Sequence, residues 1–373
     1  MIYFDSNANY PITQEVLDLY NKACNYKNIS AFRYPGVDKA LEIYSHSLKN
    51  YYGDFKFINT SGASEGNSTV IHQFAPGSTF IIPTTAHASV TEYAVYLEKN
   101  NLGRVKWVKP QITGEIKLKD ITDCLPADCI LMPSVDSETG TIQPIEELWI
   151  YLKQNRIPTK LAIDDVQGFL KTRRTHNIGD YITISFHKIG GPIGAGVLLF
   201  KDSLKPLIFG KQNSHLRGGT VNIAGIIAST KAMNLFQHNN YALDFWRLMQ
   251  NKIPVFGIEF FEKMIKDKVA LPPKYIIHVN TKNTTDHVVF ASLGKGNEIL
   301  CGTKVKNYLL SKNMLIGTGS ACNTNDKTEL GSMRSSPIHD AVKIGFIRIS
   351  FHKGNKKKDI EKLVVELINI LSK

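Results

Sequence analysis

Cysteine is scarce in this 373-residue chain: five residues, at positions 24, 124, 129, 301 and 322, with no Cys-x-x-Cys pair among them. An odd, sparse set argues against a disulfide framework and reads as reduced thiols in a cytosol-like, cytoplasmic compartment. No uninterrupted apolar run approaches the ~20 residues that cross a bilayer, so no membrane helix is expected. The first residues, Met1-Ile2-Tyr3-Phe4-Asp5, carry no basic stretch ahead of an apolar one, which is the pattern of a secretory signal. Internal repeats, low-complexity tracts and a Pro/Gly-rich linker are missing as well.

Hydrophobic residues at 43% and charged residues at 21% give the balance of a soluble globular enzyme and exclude wholesale disorder, collagen-like and coiled-coil chains. The length exceeds one minimal core and implies two or three domains. Lysine and arginine number 45 against 33 acids, a net charge of +12. A nucleic-acid binder would cluster basic and aromatic residues on one element. Here the lysines are scattered, and the one dense run is Lys353 with Lys356-Lys357-Lys358. That run reads as a solvated face, nucleic acid is not the expected partner, and an anionic substrate or cofactor would profit from the field.

Short apolar runs recur: Phe55-Lys56-Phe57-Ile58, Thr79-Phe80-Ile81-Ile82, Cys129-Ile130-Leu131-Met132, Lys160-Leu161-Ala162-Ile163, Tyr181-Ile182-Thr183-Ile184 and Gly196-Val197-Leu198-Leu199-Phe200. Each is followed by a small or polar turn and then a helix-like stretch, which predicts an α/β fold with its sheet covered on both faces. Past about residue 240 longer amphipathic helices and a few strands suggest a second domain, ending in a helix over 358–371. In open α/β sheets chemistry gathers beyond the carboxyl ends of strands. The segments 60–67, 84–87, 134–138, 164–167 and 185–188 are therefore the candidate site.

Within Ser185-Phe186-His187-Lys188-Ile189-Gly190-Gly191-Pro192, a lysine directly after a buried strand can be desolvated, which lowers its pKa and leaves an amine able to form a Schiff base. The alternative is a lysine snorkelling from a strand end. Asp164 could face a pyridinium nitrogen and keep it protonated, or be a helix cap, a role that suits Asp165 better. The turn Thr60-Ser61-Gly62-Ala63-Ser64-Glu65-Gly66-Asn67 offers backbone N–H groups and hydroxyls to a phosphate, although such turns are common. Gly317-Thr318-Gly319-Ser320-Ala321-Cys322-Asn323-Thr324 sets a thiol in a polar, glycine-rich loop. A buried structural cysteine fits that setting poorly and a reactive nucleophile fits it well. The other four cysteines read as structural.

Taken together these motifs resemble the cysteine desulfurases of the NifS/IscS type, in the class V aminotransferase-like group of fold-type I pyridoxal-phosphate enzymes. The likeness runs from Asp5-Ser6-Asn7-Ala8-Asn9-Tyr10-Pro11 to Ile347-Arg348-Ile349-Ser350-Phe351. It implies a large domain over 16–240 with a mainly parallel central sheet flanked by helices. A smaller α+β domain would comprise 1–15 and 241–373 and carry the cysteine loop. Lys188 would hold pyridoxal 5′-phosphate covalently, and His87 would stack on its ring and help move protons. Asp164 would pair with the pyridine nitrogen and Gln167 with the phenolic oxygen. Ser64, Ser185 and His187 would hold the phosphate, with Ala63 also among the cofactor-binding positions. Thr220 would reach a phosphate in the partner subunit of a homodimer. Arg348 would clamp the substrate carboxylate, a task suited to its planar fork.

The implied reaction takes sulfur from L-cysteine, leaving L-alanine and a persulfide on Cys322 for a sulfur-acceptor protein. Iron–sulfur cluster assembly and tRNA thiolation both begin with such a persulfide. The 25 residues between Cys322 and Arg348 resemble the long-loop class of the family. Selenocysteine lyase and an aminotransferase of the same fold are the alternatives. One departure stands out: the family's Asn-Asn-Glu is Asp136-Ser137-Glu138 here, and the shorter Ser137 puts a cofactor contact in doubt. No metal site is expected.

Overall fold

The protein is described from a computed structural model, which describes residues 1–25, 37–172, 176–280, 283–318, 337 and 340–373. The chain enters on β1 (Ile2–Phe4) and then builds its larger sheet from β2 (Lys56–Thr60), β3 (Ser78–Pro83), β4 (Gly103–Val108), β5 (Cys129–Pro133), β6 (Lys160–Asp164), β7 (Tyr181–Ser185) and β8 (Gly196–Phe200). Their order across the sheet is β2-β8-β7-β6-β5-β3-β4. Neighbours from β7 through to β4 run parallel, whereas β8 is antiparallel to both β7 and β2.

Alternation along the strands divides this sheet into two apolar faces, as a period of two demands. Ile130, Met132, Leu161 and Ile163 pack on one face with Leu148 and Leu152 of the helix Ile145–Gln154 and with Tyr44 and Tyr52 of the helix Val37–Tyr52. Cys129, Leu131 and Ala162 pack on the other with Val70 of the helix Ala63–His72 and Val90 of the helix Ala88–Lys99. Every position of β5, β7 and β8 is buried, which is why each reads as a continuous apolar run. The expected α/β fold is therefore what the chain adopts. The sequence reading overlooked β4, because Arg104 and Lys106 interrupt its apolar positions as suits a strand at the sheet's edge.

The second sheet takes β1 together with β9 (Val255–Gly257), β10 (Tyr275–His278), β11 (Val288–Lys295), β12 (Glu298–Ile299), β13 (Met314–Thr318) and β14 (Ile347–Ser350). Its order is β1-β13-β14-β11-β10-β9, with β12 on β11. Phe4, Ile316, Ile349 and Val289 meet Phe245 of the helix Tyr241–Gln250 and Leu363 of the terminal helix Lys357–Leu371 in its core. After β1 the chain crosses from this sheet to the larger one. Ser6 N donates to Ser350 O at 3.3 Å, and Tyr10 N donates to His187 O at 3.0 Å. Residues 5–10 thus pass directly over the carboxyl ends of β6 and β7. No helix among the described residues is long and apolar enough to cross a membrane.

Candidate active site

A cavity of about 430 Å³ opens at those strand ends and is walled by both sheets. Ser185 closes β7, and the chain then makes one 3-10 turn, Phe186–Ile189, that ends at Gly190 with φ +86°. A Cβ on Gly190 would also stand 3.2 Å from Pro11 O, so glycine answers both demands. The turn buries Phe186 and Ile189 and leaves His187 and Lys188 lining the cavity. Lys188 Nζ donates to the carbonyls of Asn7 and Ala8, each at 2.8 Å. Burial and the nearby Arg348 charge push the lysine down to about 8, while Asp5 and Asp164 pull it back up. His187 Nδ1 pairs with Ser185 Oγ at 2.9 Å. Burial, followed by Lys188, Lys171 and His87, pushes that imidazole down to about 4, so it is neutral at pH 7.

Asp164 ends β6, beside Pro133 of β5 and Thr183 of β7. Its Oδ2 accepts from Asn67 Nδ2 at 3.0 Å and its Oδ1 from Val166 N at 3.2 Å. Asn67 is wholly buried, accepts from the Thr183 hydroxyl at 2.7 Å and donates to Ser89 Oγ at 3.0 Å. Ser89 meets His87 Nδ1 at 2.9 Å, and its backbone N–H donates to the same nitrogen. Since Nδ1 accepts, this network assigns the His87 proton to Nε2. Asp164 and His87 are in this way joined through Asn67 and Ser89. Asp165 does not line the cavity, and its carboxylate meets hydroxyls in place of the helix start that the alternative reading of Asp164 assigned more readily to it. It is buried, accepts from the Tyr52 and Ser134 hydroxyls, and is pushed up to about 6 by that burial.

The helix Ala63–His72 starts at the cavity wall, and Gly62 before it offers no side-chain cap. Its first N–H groups, with Ala63, Ser64 and the Ser185 hydroxyl, form a cradle of donors suited to an anion. Gly196 of β8 lies under the turn: a Cβ there would come within 2.6 Å of Gly62 Cα. Glu65 fixes the turn's outer side. It accepts from Ser61 N at 2.8 Å and takes a bidentate pair of bonds from Arg217, at 2.8 and 3.0 Å. The buried Thr85 hydroxyl, also at the cavity wall, has no hydrogen-bond partner among the described residues.

From the other sheet, Arg348 donates through Nη2 to Asp5 Oδ1 at 2.9 Å and through Nη1 to Ser137 O at 3.0 Å, while its Nε has no partner among the described residues. Ser137 lines the cavity, and its carbonyl also accepts from Asn7 Nδ2 at 3.0 Å. Gln167 donates through Nε2 to Asn7 O at 3.0 Å and accepts from Lys171 Nζ at 2.8 Å.

The fold thus brings Ala63, Ser64, His87, Ser137, Asp164, Gln167, Ser185, His187, Lys188 and Arg348 to one cavity. Thr220 lies exposed and does not line it. Cys322 and the segment 31–36 lie outside the described residues. Of the other cysteines, Cys129 is buried in β5 and Cys24 is exposed at a helix end. Sequence reasoning passed over Asp5, Asn7 and Lys171. The first two sit in Asp5-Ser6-Asn7-Ala8-Asn9-Tyr10-Pro11, a segment whose residues carry no chemical signature of their own. Lys171 follows Gln167 by four residues, a spacing that could have suggested contact. No cluster of potential metal ligands occurs among the described residues.

Residues 2–363 match the aminotransferase class-V family. The "NifS/IcsS protein homolog" of Lactobacillus delbrueckii subsp. bulgaricus is 29% identical, over 98% of this chain and 95% of the relative. The "Putative cysteine desulfurase NifS" of Bacillus subtilis is 28% identical, over 98% of this chain and 93% of its own length. A solved structure titled "NIFS-LIKE PROTEIN" superposes with a TM-score of 0.77 at 22% identity, covering 100% of this chain and 99% of that one.

Proposed function

The chain belongs to the class-V aminotransferase family, and from that premise we propose that it is a pyridoxal 5′-phosphate-dependent cysteine desulfurase. The observation that carries the cofactor is the pairing of a partly desolvated lysine after β7 with a buried carboxylate ending β6, across one cavity. The donor set suits the group throughout. Lys188 would hold its aldehyde carbon, Asp164 its ring nitrogen and Gln167 its phenolic oxygen. Ala63, Ser64, Ser185 and neutral His187 would hold its phosphate at the helix N-terminus, where the dipole favours an anion. His87, with Nε2–H as donor, would face the ring. Ser137 stands where the family has an asparagine; its backbone carbonyl holds Arg348 and Asn7, and its shorter side chain leaves the asparagine's contact to the phenolic oxygen to Gln167.

When bound, the cofactor supplies an electron sink for charge developing at the substrate Cα. Arg348 binds the carboxylate of L-cysteine through the N–H groups not committed to Asp5 and Ser137. The Lys188 amine, cradled by two carbonyls, takes the Cα proton and returns it on the way to L-alanine. The Cys322 thiolate attacks the substrate sulfur; a sulfur–sulfur bond forms as the Cβ–sulfur bond breaks, and the electron pair left on Cβ takes up a proton to become the alanine methyl. The products are L-alanine and a Cys322 persulfide, which passes to an acceptor thiol.

Two copies form the working unit in this reading, with Thr220 serving the partner's phosphate; its exposure supports that role. Residues 16–240 form the large domain, and 1–15 with 241–373 the small one, in keeping with the strands of the two sheets. The four described cysteines are free thiols, in accord with a reducing, cytoplasmic setting.

The deciding experiment compares alanine released from L-cysteine by the wild type and by Cys322→Ser, with pyridoxal phosphate and a thiol reductant. Release by the wild type alone supports the reading. Equal release by both removes Cys322 as nucleophile. Amino transfer to a keto acid that survives Cys322→Ser identifies an aminotransferase, and faster turnover of selenocysteine a lyase for that substrate.

A further inference from the structure

Lys171 is 7% exposed and bonds to Gln167, a residue of the active-site wall. A buried ammonium costs several kcal/mol unless it is paired, yet the one hydrogen-bond acceptor of Lys171 among the described residues is the Gln167 amide oxygen, at 2.8 Å. Packing alone would be better served by methionine or leucine. The groups around it are Asp165, Lys188, Arg348 and His287. Tyr10, His238 and Asp286 join it around a small cavity of about 10 Å³. Burial and the charges of Lys188 and Arg348 push its pKa well below the usual value.

What Lys171 does is set by its neighbours. The Asn7 carbonyl can only accept, so Gln167 must turn its amide nitrogen toward Asn7 and its oxygen toward Lys171. Lys171 donates whether charged or neutral, and so locks that orientation. The same Asn7 carbonyl accepts from Lys188 Nζ. Two side chains, Gln167 from the turn after β6 and Lys188 from the turn after β7, therefore converge on one backbone oxygen of the crossing segment.

We propose that Lys171 is a positioning residue for Lys188, acting through the Gln167 amide on the Asn7 carbonyl that cradles the Lys188 amine. While Gln167 occupies part of that carbonyl, Lys188 finds a weaker acceptor for its ammonium form and its neutral amine is favoured. Losing Lys171 frees the Gln167 amide to rotate away, strengthens the carbonyl as an acceptor and raises the proton affinity of Lys188. Arg348, Asp5, Asp164 and His187 also face Lys188 and stay as they are.

The inference rests on Lys188 being the working amine, but its test does not depend on the cofactor. The full chain, cleared of bound aldehyde with hydroxylamine, is labelled competitively with acetic anhydride across pH 6–11, and the Lys188 peptide is quantified by mass spectrometry. Lys171→Met is expected to move the labelling midpoint up by about one pH unit, a roughly tenfold loss of neutral amine at a given pH below it. Gln167→Leu should move it the same way. In the Gln167→Leu background, Lys171→Met should add less than half of its single-variant shift, since the path is already cut. An unmoved midpoint in either single variant overturns the proposal, as does a full additional shift in the double variant, which would mean that Lys171 acts through space. Should Lys171→Met fail to fold, Gln167→Leu alone decides. Failure of the desulfurase reading would show separately, as missing alanine release with Lys188 labelling as expected.

Discussion

Asp5 and Arg348, 343 positions apart in the chain, form an ion pair in which Arg348 lines the cavity, with Asp5 Oδ1 2.9 Å from Arg348 Nη2. The bare Cα of Gly317 on β13 leaves room for the pair: a Cβ there would stand 2.7 Å from Asp5 Oδ1 and 3.2 Å from Arg348 Nε. The arginine that would take a substrate carboxylate is therefore already oriented by a carboxylate of the protein. The Ser137 carbonyl holds its second arm, so part of the ordering entropy of the clamp is lost on folding and not on binding.

Arg348→Ala should raise KM for L-cysteine about 10- to 100-fold, as expected from losing charge-assisted bonds of roughly 1.5–3 kcal/mol, with a smaller change in kcat. Lysine at this position should recover only part of the loss, because it lacks the fork that reaches Asp5 and Ser137 together. Steady-state kinetics of both variants checks this. A KM equal to that of the wild type in Arg348→Ala would count against the clamp.

Lys188, held down to about 8 by burial and Arg348, has a larger neutral fraction at every pH below 10 than an ordinary lysine near 10.5. The rate of covalent pyridoxal phosphate attachment, followed as visible absorbance, should therefore rise with pH and level off above about 8. Lys188→Ala should show no such band at any pH. A rate still climbing steeply between pH 9 and 10.5 would contradict the depressed value.

Much of this was legible in the residues. The runs that became β5, β7 and β8 are buried at every position, so continuous apolarity announced them. Lys188 and Asp164 follow such runs directly. The role of Asp165 was not legible, because a carboxylate at a strand end has the sequence signature of a cap whether it meets a helix or two hydroxyls from distant elements. Asp5 and Asn7 were hidden for a related reason. Their partners Arg348, Ser137 and His287 come from far along the chain, and no local pattern encodes a crossing between two sheets. The Cys322 segment was legible only as composition and lies outside the described residues.

Gly66 packs the helix Ala63–His72 onto the larger sheet: a Cβ there would come within 2.8 Å of Thr183 Cγ2 and 3.8 Å of Leu198 Cβ. Thr183 is held in place by its bond to Asn67 and cannot yield freely. Gly66→Ala should therefore destabilise the fold by about 1–3 kcal/mol through overpacking, despite alanine's better helix propensity. It should also weaken phosphate binding by shifting the helix start. Denaturant unfolding of the variant checks the first effect, and unchanged or greater stability would mean that the helix simply moves outward.

Acid should weaken the protein before it reaches carboxylate pKa values. His187, His278, His287 and His352 are all pushed below 6.5 by burial, His187 to about 4. A group with a depressed folded pKa binds its proton more readily when unfolded. Its contribution to stability is complete above pH 6.5 and is lost as pH falls toward the folded value. Asp136 and Asp165, both pushed up to about 6 by burial, act in the opposite sense: they stabilise the fold below the usual carboxylate range and lose that contribution as pH rises through 6. Between pH 6.5 and 4 the four imidazoles therefore weaken the fold on acidification, and the two carboxyls oppose them. His287 isolates the effect, since it is buried and its Nε2 meets Asn7 Oδ1 at 3.3 Å. His287→Gln keeps a group able to reach Asn7 but cannot titrate. It should flatten the slope of stability against pH in this window by at most ~1.4 kcal/mol per pH unit, the value for one proton. Denaturation midpoints at pH 4.5, 5.5 and 6.5 for wild type and variant measure this directly. Parallel curves would show that His287 takes up its proton equally in the folded and unfolded chain.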